Sequence, residues 1–180
     1  MWKLLNSLVG LSLLLGSTLA YAGQSAWMEN GSAAPQSSAR ASNGTFGAML
    51  VLTDDWAGFL KRWELPTAGF YMPPTVDSIP KGRPLMSAIL FTGCQADKTG
   101  NCSVSGHFRV VDPNGKTYAD QQGANIWSLP PPDPSLQLSV ESLGLSLDPP
   151  DPLGTYVLTA VITDRVANKT LELRTTFVAK

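Results

Sequence analysis

The clearest pattern in the chain is strict alternation near its C-terminal end. From Tyr156 to Thr163, Tyr156, Leu158, Ala160 and Ile162 fall on one side of an extended chain, and Val157, Thr159, Val161 and Thr163 fall on the other. After a polar stretch (Asp164 to Lys169), Leu171, Leu173 and Phe177 alternate with Glu172, Arg174 and Thr176. Period two is the signature of a strand, and two such runs around a turn-rich stretch predict a hairpin. A slip of one residue would bury Glu172 and Arg174, so the register is well specified. The first strand is apolar or β-branched on both faces and is expected to be central in its sheet.

The same alternation recurs upstream. Phe46–Thr53 and Leu85–Gly93 are near-continuous apolar runs that predict covered strands. Val104, Gly106, Phe108 and Val110 alternate inward, leaving Ser105, His107 and Arg109 outward, and Asp112-Pro113-Asn114-Gly115 predicts a tight turn. Lys116 to Gln121 is expected to return as a short strand, with Gly123 to Pro134 as a loop ending in Pro130-Pro131-Pro132, a stiff polyproline segment. Leu136, Leu138 and Val140 alternate, and so do Leu143, Leu145 and Leu147, but the phase shifts by one residue between them. That predicts two short strands or one bulged strand.

One stretch breaks the period. Trp56, Phe59, Leu60 and Trp63 stand at i, i+3, i+4 and i+7, which predicts a helix with one apolar face, capped by Asp54 and stopped by Pro66. Burying those four side chains contributes about 1.5–3 kcal/mol each as an upper bound. The expected place for this helix is an edge or end of the stacked sheets; an exposed aromatic face for a partner is the alternative.

Pro149, Pro150 and Pro152 forbid regular pairing before the final hairpin, and Gly154-Thr155-Tyr156 opens it. This G-x-Y entry resembles the tyrosine corner of immunoglobulin-like sandwiches, and the chain resembles exported bacterial single-domain proteins of that architecture. The resemblance implies an all-β, immunoglobulin-like β-sandwich with about eight or nine strands and one short helix. Antibody-type domains carry a cysteine two residues after that tyrosine; here the position is Leu158, so no inter-sheet disulfide is expected.

The N-terminal residues read as a targeting segment. Lys3 precedes an apolar run from Leu4 to Leu15, and Ala20-Tyr21-Ala22 is a small-x-small cleavage site, so residues 1–22 are expected to be a secretory signal peptide. Residues 23–45 are rich in Gly, Ser, Ala, Asn and Gln and read as a flexible N-terminal arm, in which Trp27 and Met28 are exceptions that either dock on the domain or move with the arm, with residues 46–180 as a single sandwich domain. Export, to the periplasm or beyond, makes oxidation of the two cysteines expected. Cys94 and Cys102 flank a polar turn between two strands, where a disulfide would staple the hairpin loop, worth about 2–3 kcal/mol.

Composition narrows the function classes. With 13 basic and 14 acidic residues and no basic stripe, nucleic acid is not an expected partner. The single histidine, His107, is expected on an open strand face; there is no Gly-x-Ser-x-Gly elbow, no zinc ligand set, and no clustering of Met49, Met72 and Met86 that would suit copper. No cofactor or metal is expected. The preferred reading is a non-enzymatic module that binds an envelope or periplasmic protein through Tyr71, Trp127 and Pro130, Pro131 and Pro132, with Trp63 as a further contact. The alternatives are a hydrolase of cell-envelope polymers, with His107 in a cleft beside a carboxylate, and an envelope assembly chaperone using an open strand edge.

Overall fold

A computed structural model describes residues 25–29, 32–65, 75–132 and 136–180. The expected signal peptide, Pro66 and the Phe70-Tyr71-Met72 stretch lie outside the described residues. The elements are β1 (Met28–Glu29), β2 (Ser32–Ala33), β3 (Arg40–Asn43), β4 (Phe46–Thr53), α1 (Trp56–Trp63), β5 (Ser78–Ile79), β6 (Pro84–Thr92), β7 (Val104–Val111), β8 (Thr117–Trp127), β9 (Gln137–Leu138), β10 (Leu143–Ser146), β11 (Gly154–Asp164) and β12 (Lys169–Ala179). Among the described residues the protein is all-β with one helix.

Two five-stranded sheets carry the structure. One runs β10-β6-β4-β3, with β9 also on β6; the other runs β5-β12-β11-β7-β8. Their inner faces share one core. Phe46, Ala48, Leu50 and Leu52 of β4 and Leu85, Ile89 and Phe91 of β6 meet Phe108 and Val110 of β7, Tyr156, Leu158, Ala160 and Ile162 of β11, and Leu171, Leu173 and Phe177 of β12. The final hairpin is paired without a break from Gly154↔Ala179 to Asp164↔Lys169, and β11 is central, flanked by β12 and β7. Tyr156 is fully buried, stacks on Phe177 at 5.2 Å and meets Tyr118 edge-on at 5.5 Å. Its hydroxyl donates to the Pro152 carbonyl at 3.0 Å. The Tyr118 hydroxyl bonds the Ser146 carbonyl and the Asp151 carboxylate at 2.9 and 2.8 Å, and burial, then that carboxylate, push its pKa above the ordinary tyrosine range.

The first sheet is covered on both faces, and this revises three expectations. The helix does not plug an edge or end: Phe59 is buried with Met49, Val51 and Leu90 on the outer face of β4 and β6, and Trp56, Leu60 and Trp63 pack around it. Its N-cap is Asp55 rather than Asp54, with the Asp55 carboxylate accepting from Gly58 N at 2.9 Å. The reason is local: Thr53 still belongs to β4, and its hydroxyl accepts from Asp55 N, so the chain turns one residue later. The described residues of the stretch read as an arm, 25–29 and 32–45, do not stand away from the domain. β3 pairs with β4, and Trp27 is buried in the outer cluster, its Nε1 donating to Ala41 O at 2.8 Å. Gly47 makes this docking possible, because a Cβ there would meet Ala26 Cβ at 2.5 Å.

Two further differences concern strands. Gly123 to Trp127, expected as loop, continues β8. Between Gly106/Phe108 on β7 and Ala124/Gln121 on β8 the register shifts by one residue, and Gly123 takes φ +71°, so a bulge absorbs the extra residue and pairing resumes. The phase shift after Val140 separates two strands that serve different layers. Leu138 packs in the outer cluster, whereas Leu143, Leu145 and Leu147 enter the core between the sheets. Both strands pair with β6, and between them the chain is tied to β8 of the opposite sheet: Val140 N donates to Ile126 O and Glu141 N to Asn125 O, each at 3.0 Å, and the Val140 side chain is left exposed.

Candidate functional site

One end of the two sheets gathers three connections: residues 93–103 between β6 and β7, residues 128–132 after β8, and residues 165–168 between β11 and β12. Asp164, the last residue of β11, organises them. It is fully buried. One carboxylate oxygen accepts from Gln95 N at 2.8 Å and the other from Val166 N and Ala167 N at 3.0 and 3.1 Å. It therefore shapes its own turn and ties that turn to the first connection. Arg165 N adds a bond to Ser103 O at 2.9 Å.

Cys94 and Cys102 close the first connection, with sulfurs at disulfide distance (2.09 Å) and Cα atoms 6.0 Å apart. Both are buried in the core, so the pair anchors the loop base. At the tip, Asp97 accepts from Thr99 Oγ1 at 2.6 Å, Thr99 N at 2.7 Å and Asn101 N at 3.2 Å. These bonds, the Thr99 hydroxyl first, hold the Asp97 pKa below the ordinary carboxylate value. A depressed folded pKa gives order that is present above the unfolded carboxylate pKa and is lost as pH falls through the folded one. Amide-exchange protection at Thr99 and Asn101 should therefore fall on acidification below about pH 4 while β11 stays protected.

The second connection, together with Trp127 at the end of β8, carries most of the expected partner-binding residues. Cys102 N donates to Leu129 O at 2.9 Å, which seats the Trp127–Pro132 stretch against the disulfide. Trp127 is half-buried rather than free: its ring lies 5.8 Å from Phe91, and its Nε1 donates to Pro130 O at 2.9 Å, fastening the proline run to the indole edge. Pro130 and Pro131 are exposed, Pro132 is half-buried, and Leu129 is 53% exposed. The end thus offers a stiff apolar ridge on a cross-braced base. Trp63 does not join it; it sits in the outer cluster, 5.9 Å from Phe59. Tyr71 lies outside the described residues. Sequence reasoning missed Asp164 and Leu129: an Asp at a strand end reads as an ordinary turn residue, and its link to Gln95 spans 69 positions.

His107 stands on the outer face of the second sheet. Its Nε2 lies 2.7 Å from Asp120 Oδ1, so a carboxylate is in reach, but both side chains are about 40% exposed (40% and 39%) on an open strand face. Among the described residues no hydroxyl or thiol is hydrogen-bonded to the ring. Exposed pairs of this kind contribute about 0–1 kcal/mol. His107→Ala should shift the thermal midpoint by only a few degrees or less. A larger loss in a melt would mean that the pair braces β7 against β8.

Among the described residues no group of three His, Cys, Asp or Glu could hold a metal ion, and no helix is long and apolar enough to cross a membrane. No protein-family model and no curated protein matches the chain. Among solved structures, a family 123 glycoside hydrolase from Clostridium perfringens, described for glycolipid glycan hydrolysis, aligns with a TM-score of 0.42 and 11% identity. That alignment covers 74% of this chain, which spans only 27% of the hydrolase. A structural-genomics target aligns with a TM-score of 0.33 and 14% identity over 77% of this chain and 88% of its own. At TM-scores below 0.5 these resemblances carry no argument about activity.

Proposed function

We propose that this chain is an exported, non-enzymatic immunoglobulin-like sandwich that binds a protein of the cell envelope through the end carrying Leu129, Pro130 and Pro131. Connectivity supports the fold. The strand order β4-β6-β10 in one sheet and β12-β11-β7 in the other corresponds to A-B-E and G-F-C of the immunoglobulin arrangement, and the Tyr156 hydroxyl makes the corner bond to Pro152 O. Leu158, buried where antibody-type domains keep a cysteine, replaces their inter-sheet disulfide with packing. The cysteine pair suits an oxidising compartment.

The observation that carries the binding role is the bracing of the three connections. Asp164, the cysteine pair and the Trp127–Pro130 bond fix the loops before any partner arrives, and Leu129 and the prolines face outward on them. Preorganised apolar loops lose little conformational entropy on association. The hydrolase alternative rests on His107 and Asp120, which sit on an open face. The strand-acceptor alternative has the β12 edge, where β5 pairs only with Val178 and Ala179, but Arg174 N already donates to Ser38 O in the middle of that edge.

The test is photo-cross-linking in cells that express the full chain, with the reactive residue at Pro131 or, as control, at exposed Thr176 on β12. The proposal expects one discrete adduct from position 131 and none from 176. Adducts only from 176, or envelope-polymer hydrolysis by the purified protein, would overturn it.

A further inference from the structure

A second site lies away from the loop end, at the start of β3. Ser37 and Arg40 close a tight turn, with Ser37 N donating to Arg40 O at 2.8 Å and Arg40 N to Ser37 O at 3.2 Å. The turn brings the Arg40 guanidinium over the Trp27 ring, 5.9 Å from its centroid, while Nη2 donates to Pro35 O at 2.9 Å. Among the described residues the buried Nε has no hydrogen-bond partner, and no carboxylate lies within ion-pair distance of Arg40. Beside it opens a cleft of about 220 Å³, whose lining includes Met49 and Val51, both members of the outer cluster, and the hydroxyl residues Ser37 and Thr75.

These features define a ligand chemistry. A cationic N–H withdrawn from water without an acceptor is costly, and the cost is recovered when an anionic acceptor reaches it. The planar guanidinium matches a two-oxygen acceptor, and stacking on an indole holds its plane in place. Met49 and Val51 favour an apolar substituent over a fully hydrated inorganic anion. Ser37 and Thr75 can donate to the remaining oxygen lone pairs. We infer that this cleft is a carboxylate-binding site for a small carboxylic acid bearing a short apolar substituent. The same group is offered by a free short-chain acid and by the C-terminus of a peptide. The site is independent of the loop-end proposal, since it shares no residue with it.

The test is an NMR titration of the full chain, following the Arg40 Nε–H and Trp27 Nε1–H signals. The Trp27 Nε1–H is a fixed reporter, bonded to Ala41 O. The probes are isobutyrate, N-acetylalanine, N-acetylalaninamide and inorganic phosphate. The inference expects saturable shifts of both signals with the two acids, at a dissociation constant on the order of 1 mM for so few atoms. The neutral amide should bind at least about tenfold more weakly, because it offers no anionic acceptor. Tighter binding of N-acetylalanine than of isobutyrate assigns a peptide C-terminus, and the reverse assigns a free acid; either order supports the site. Arg40→Lys, which keeps the charge and loses the fork, should weaken the acids about tenfold with an unchanged melt. Equal binding of acid and amide, phosphate binding as tight as the acids, or no saturation by any acid would overturn the inference, and the wild-type comparison needs no variant to fold.

Discussion

Tyr156→Ala should remove about 3–5 kcal/mol of stability, the range for truncating a large buried aromatic side chain. Marginal stability makes that a loss of a third or more of the total for an average domain. The argument rests on position. Tyr156 is fully buried in the core between the sheets, stacked on Phe177 and edge-on to Tyr118, on the central strand of its sheet. Its removal opens a cavity that strands paired on both sides cannot collapse around. Tyr156→Phe isolates the other half of its role. The ring stays and only the bond to Pro152 O is lost, so the expected cost is about 1 kcal/mol. Urea titrations of the two variants give the comparison. Equal costs would mean that the corner bond, and not the ring, carries the contribution.

Asp164→Ala should be the second large effect, about 3 kcal/mol, and of a different kind. The carboxylate is fully buried and accepts three backbone N–H groups, from Gln95, Val166 and Ala167. Alanine leaves three donors without acceptors near the protein surface, where water can reach some of them, so the loss falls short of three full desolvation penalties. The structural consequence is local: the turn after β11 and the connection after β6 come apart. Exchange at the Gln95 and Ala167 amides should accelerate by orders of magnitude more than exchange in β6, and the adduct from position 131 should weaken. Asp164→Asn keeps one acceptor and should fall between wild type and alanine. Uniform acceleration across both sheets would show that Asp164 supports the core and not the loop end.

Legibility in the sequence followed the range of each interaction. β4 has the bounds its apolar run predicts, Phe46–Thr53, and the inward alternation of β7 and of the final hairpin appears residue for residue, because a two-residue period is local. The docking of Trp27 and of residues 40–43 was not fixed that way. Its composition is polar, and its seat is a bare patch at Gly47 beside Met49 that exists only once β4 and β6 are paired. The continuation of β8 past Gly123 was hidden because a glycine before a proline-rich run reads as a loop, whereas here it makes a bulge. At the candidate site the cysteine pair and the Trp127–Pro132 stretch were legible as motifs. What joins them was not, because Asp164 acts on Gln95 across 69 positions of sequence, and the exposure of Leu129 depends on where Cys102 holds its carbonyl.

The central claim is a division of labour: core packing around Tyr156 holds the fold, while the cysteine pair and Asp164 hold only the loop end proposed as the binding surface. Amide hydrogen exchange on the oxidised and the reduced protein tests it most directly. Closing so short a loop contributes about 2–3 kcal/mol, too little to unfold an average domain. After reduction, faster exchange is expected in residues 93–103 and 128–132, with β11 and β12 as protected as before. Collapse of protection in β11 and β12 on reduction would contradict the account.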